Sequence, residues 1–138
     1  MRTINWGRLV LGGIVAGVVW TALASLINML PDHGVAVIAV PGGRWERPSG
    51  ATVGFIITLD VLMGFWAEWL YVSIRPRYGA GPRTAAITGI SWWILSTLIE
   101  LTWGSFGNVP PSFILPNIVF LLPAFVIAAF AGAWCYRE

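Results

Sequence analysis

Two apolar stretches, residues 51–74 and 84–106, stand on either side of a basic turn, Arg75-Pro76-Arg77-Tyr78-Gly79-Ala80-Gly81-Pro82-Arg83. Each is long enough to cross a bilayer as a helix, which needs roughly 20 apolar residues. Between them they hold Asp60, Glu68 and Glu100, three of the six acidic residues in the chain. A membrane hairpin with acids at depth narrows the fold before any other feature is weighed, because backbone inside lipid must satisfy its own hydrogen bonds.

Two more apolar runs complete the pattern. Residues 9–30 carry no charge, with Arg2 and Arg8 before them and Pro31, Asp32 and His33 after them. A signal peptide also begins with a basic flank and an apolar run, but its core is usually about 7–15 residues and ends in small residues. The 22 uncharged residues here end in Asn28-Met29-Leu30-Pro31, so the segment is expected to be retained. The last run covers residues 112–136, with Pro116 expected in its first turn and Pro123 expected to kink it. With 57% hydrophobic and only 10% charged residues, the composition fits no ordinary soluble domain. The expected fold is therefore all-α, a single transmembrane domain over residues 1–138, built as an up-down-up-down four-helix bundle with spans near 9–30, 51–74, 84–106 and 112–136.

Charge gives the orientation. An even number of spans puts both termini beside the basic turn, so Arg2, Arg8, Arg75, Arg77, Arg83 and Arg137 share one side, while Arg44 and Arg47 lie on the other. Positive residues in short flanks favour the cytoplasm, and both termini are expected there. The arginines are scattered, which speaks against a nucleic-acid surface. A single cysteine, Cys135, excludes an internal disulfide and a cysteine metal cluster. The only histidine, His33, supplies one imidazole where metal sites need several ligands, and reads as a loop residue. The connection that contains it, residues 31–50, includes an apolar stretch, residues 35–40, too short to span and expected to lie at the interface or cap the bundle.

Three short stretches carry a resemblance: Asn5-Trp6-Gly7-Arg8, the turn from Ile74 through Ala85, and Ala131-Gly132-Ala133-Trp134. They resemble a group of small uncharacterised four-helix bacterial inner-membrane proteins. The resemblance implies a multi-pass protein of the bacterial inner membrane and brings no activity with it.

The remaining residues suggest packing and chemistry. Gly13, Gly17, Thr21 and Ser25 recur every four residues in the first span, and Ala124, Ala128 and Gly132 do so in the fourth, making ridges over which helix backbones approach closely. Asp60, Gly64 and Glu68 follow one face of the second span. Glu68 has Arg75 seven residues further on, and is expected to form a structural ion pair with it or with another arginine of the same side. Asp60 and Glu100, with Trp93 and Ser96 beside them, form the candidate intramembrane site for a proton, cation or ligand. Asp60 is expected to be neutral and hydrogen-bonded, by Trp20, Trp93, Ser96 or Thr97, or else paired with a cation or a neighbouring subunit, and Glu100 to meet it across the hairpin. Of the tryptophans, Trp6, Trp45, Trp69, Trp103 and Trp134 read as interfacial anchors, and Trp20, Trp66, Trp92 and Trp93 as deeper packing residues.

The leading functional expectation is a non-enzymatic protein that acts by association, with other membrane-protein subunits or with itself. The alternative is a small oligomeric proton- or cation-linked transporter or channel using Asp60 and Glu100. An intramembrane enzyme lacks its motifs, since the chain has no Cys-x-x-Cys, HExxH or GxSxG and no second histidine for a haem. The residues leave the cofactor unknown.

Overall fold

The computed structural model describes residues 4–29, 38–40, 44–46, 48–107 and 111–136; Arg2, Asp32, His33, Arg47 and Arg137 lie outside them. Four helices dominate: α1 (Trp6–Asn28), α2 (Gly50–Tyr78), α3 (Pro82–Ser105) and α4 (Pro111–Cys135). All four are long and apolar enough to cross a membrane, which is the build of a multi-pass membrane protein.

The boundaries follow from local chemistry. Asn5 caps α1, its side chain accepting from the Arg8 N–H, and Ser49 caps α2 by accepting from the Thr52 N–H. The sequence reading ends the second span at the Arg75-Pro76 break, yet α2 runs through Pro76 to Tyr78. Proline so near a C-terminus removes one bond of the ladder and leaves the helix intact. The real stop is Gly79 at φ +86°, whose N–H closes on the Arg75 carbonyl at 2.9 Å. Pro82 then opens α3, where a missing N–H costs nothing. α4 begins early enough that Pro116 falls beyond its first turn, and the helix continues through both Pro116 and Pro123.

α1 and α4 are the centre of the bundle. α1 packs against α2 on one side and α4 on the other, α4 also carries α3, and α2 touches α3 far less. The basic hairpin is thus a covalent connection more than a packed pair. Between α1 and α2, β1 (Ile38–Val40) pairs antiparallel with β2 (Arg44–Glu46), opposing Ile38 to Glu46 and Val40 to Arg44. A ribbon therefore occupies part of the stretch expected to cap the bundle, its strands satisfying each other's backbone groups.

Two clusters form the core. In the deeper one Trp20 stacks on Phe125 at 3.9 Å and meets Trp92 at 5.7 Å, with Ala67, Ala124 and Ala128 filling the gaps. Nearer the arginine-rich end lie Leu9, Tyr71, Val72, Ala85 and Tyr136. There the Asn5 N–H donates to Tyr136 Oη at 3.2 Å and the Gly81 N–H donates to Tyr71 Oη at 3.3 Å. The start of α1, the turn after α2 and the end of α4 therefore meet at one end, as four antiparallel spans require. Trp66 departs from expectation: it is 69% exposed on the outer surface, edge to face with Trp69 at 5.3 Å. α2 turns its acid-bearing face to α1, and Trp66 lies off that face.

Candidate functional site

The α2 face bearing Asp60, Gly64 and Glu68 lies on α1, and glycine makes that approach possible. A Cβ on Gly64 would run into the Gly13 carbonyl oxygen and the Gly17 backbone. In return, a Cβ on Gly17 would stand 2.6 Å from the Val61 Cα and one on Gly13 2.9 Å from the Phe65 Cα. Gly13 and Gly17 thus pack within the chain, backbone against backbone.

Close approach carries Asp60 onto α1. Trp20 Nε1 donates to its Oδ1 at 3.1 Å, and Thr21 Oγ1 donates to its Oδ2 at 3.0 Å while also reaching the Gly17 carbonyl at 3.0 Å. Trp20 was among the expected donors. Thr21 was missed as one, although it lies on the same ridge as Gly13 and Gly17. The α3 candidates serve elsewhere: Trp93 Nε1 donates to the Ile118 carbonyl at 2.8 Å, and no bond joins Ser96 or Thr97 to Asp60.

Glu100 also departs from expectation. It accepts from Asn117 Nδ2 of α4 at 2.7 Å, so the expected hydrogen-bonded meeting with Asp60 across the hairpin is not formed. The reason is the packing order: α2 pairs with α1 and α3 with α4, and each acid is satisfied within its own pair. Nothing in the spacing of single helices identifies Asn117, because which helix faces α3 is a tertiary outcome.

Glu68 is the most deeply enclosed charged side chain among the described residues, 2% exposed. Its headgroup is wedged between α1 and α4. A Cβ on Gly12 would stand 2.7 Å from Glu68 Cδ, and one on Gly132 would stand 2.5 Å from Oε2 and 3.0 Å from the Ala16 Cβ. Its Oε1 is buried with no hydrogen-bond partner among the described residues. The expected ion pair with Arg75 is not formed: the guanidinium lies over the Tyr136 ring, 5.2 Å from its centroid, and its charge acts on Glu68 only through space. Seven residues align the two on α2, but α4 offers the guanidinium the Tyr136 ring, which attracts a cation.

The α4 ridge is internal too. Ala124 and Ala128 are buried, and Gly132 takes the Glu68 headgroup on its open side. Gly12 was missed, since the four-residue rhythm picks out Gly13 on the neighbouring face. Among the described residues no three His, Cys, Asp or Glu side chains gather as a metal site. No family model, no curated protein and no solved structure matches the chain. The acids of the α1–α2 and α3–α4 seams are therefore weighed on geometry alone: Asp60 and Glu100 are held by donors, and Glu68 is enclosed without one.

Proposed function

We propose that the protein has a non-enzymatic role and works by association, as an accessory or structural subunit of a larger membrane complex or as a homo-oligomer. The observation that carries this reading is the uneven cover of the helices. In the apolar 18-residue stretch of each helix, only 11% of the residues of α2 are buried, against 28% in each of the other three. Residues 53–59 are exposed without interruption, and a Cβ on Gly50 or Gly54 would meet nothing within 4 Å. Gly50, Gly54 and Thr58 repeat every four residues on this uncovered half, whereas the α1 and α4 ridges are used inside the chain. Small residues offer lipid tails little to pack on and suit a second helix well.

Placement in a bacterial inner membrane with both termini in the cytoplasm accompanies this reading. It is supported by the resemblance of the turn and terminal stretches, and by the exposed Arg8, Arg77 and Arg83 at the end where α1 starts and α4 finishes. A shared proton or cation site at Asp60 and Glu100 gains no support from their partners, which belong to different helix pairs.

Native electrophoresis of a mild detergent extract tests the proposal. A discrete species larger than the monomer, or comigration with a larger complex, is the expected outcome. Gly54→Leu should return the protein to a folded monomer. A wild-type chain that stays monomeric at every concentration and comigrates with nothing would end this reading.

A further inference from the structure

We propose that Glu68 is a proton-binding site, and that a proton on its carboxyl is what allows α1, α2 and α4 to close on one another. Three observations converge. The side chain is almost wholly enclosed, its Oε1 has no hydrogen-bond partner among the described residues, and the backbones of two other helices press on its headgroup. The walls of the slot are acceptors: the Gly132 carbonyl oxygen is 2.9 Å from where a Gly12 Cβ would stand, and the Gly12 carbonyl oxygen 3.0 Å from where a Gly132 Cβ would stand. A carboxylate only accepts, so it finds nothing here to accept from. A carboxylic acid has an O–H to give.

Among the described residues, the surrounding groups offer the Oε1 of Glu68 no donor. On its own helix, Arg75 acts from a distance while lying over Tyr136, and Tyr71 Oη, which accepts from the Gly81 N–H, is not bonded to Glu68 Oε1. α1 brings Gly12 to the headgroup, with Arg8 exposed at its start. α4 brings Gly132, with Cys135 half-buried and Tyr136 Oη accepting from the Asn5 N–H and not bonded to Glu68 Oε1. The buried polar residues of α3 at this end, Thr84 and Thr88, do not titrate, and Arg83 is exposed. A metal cation requires several oxygen ligands and room between them. Here even a methyl group on either glycine meets Glu68, so the proton is the cation that fits.

Infrared titration of the purified chain in lipid nanodiscs, wild type beside Glu68→Gln, tests this. Expected is a carbonyl band of a protonated carboxyl in the wild type that fades as pH is raised and is missing from the variant, with the same band retained in Asp60→Asn and Glu100→Gln. Thermal unfolding gives a second readout. If the folded chain holds a proton that the unfolded chain releases, stability falls as pH rises, and Glu68→Gln should lose that pH dependence while remaining folded. A band unchanged by Glu68→Gln, a pH dependence unchanged by it, or a Glu68→Gln chain that cannot fold at any pH would each overturn the proposal, since glutamine has the shape of the neutral acid.

Discussion

Asp60 and Glu68 sit on one face of one helix, eight residues apart, and α1 meets both; yet one is given two donors and the other two glycine backbones. At Asp60, α1 presents Trp20 and Thr21, so each carboxyl oxygen has an N–H or O–H to accept. At Glu68, α1 presents Gly12 while α4 adds Gly132, so closeness takes the place of hydrogen bonding. The contrast shows that burial alone does not define what an intramembrane acid does. What decides is whether the facing helix offers a side chain that donates or a bare backbone whose N–H groups are already spent in its own ladder.

The comparison breaks most completely at the residue between the two acids. Gly64→Ala puts a methyl group against the Gly13 carbonyl and the Gly17 backbone, so α1 and α2 must part. A loss of about 3 kcal/mol is expected, seen as a large drop in the thermal midpoint of the detergent-solubilised protein. Asp60→Leu removes the acceptor and leaves the Trp20 indole N–H orphaned, at a cost of about 2 kcal/mol in the same assay, with a shift in tryptophan fluorescence. Were Asp60→Leu to stabilise the fold, the Asp60 bonds would be incidental. Glu100→Gln keeps an oxygen for Asn117 to donate to, and should cost only about 0.5 kcal/mol. A larger loss there would mean that the α3–α4 seam depends on the charge as well as on the bond.

Much of the fold was legible because lipid imposes it. Apolar stretches of 20 residues or more can only be helices, and four of them with short connections must alternate in direction. The ends were less legible: Pro76 looked like a stop, but the penalty of a proline near a C-terminus is one lost bond, and the positive φ of Gly79 sets the boundary instead. The ribbon of Ile38–Val40 with Arg44–Glu46 gave no clear signal, being two strands of three residues.

The candidate site was legible only in its inventory. That Asp60, Glu68 and Glu100 lie at membrane depth, and that Gly13, Gly17 and Gly132 permit close contact, follows from one-dimensional spacing, since a helix repeats its faces every 3.6 residues. Which helix lies across from each face does not, because any two apolar helices can meet in lipid and the choice rests on how their ridges fit. Composition and span length determined a four-helix membrane chain with most of its arginines at one end. The pairing of α1 with α2 and α4, and of α3 with α4, then decided that Asp60 meets Trp20 and Thr21, that Glu100 meets Asn117, and that Glu68 is sealed between Gly12 and Gly132.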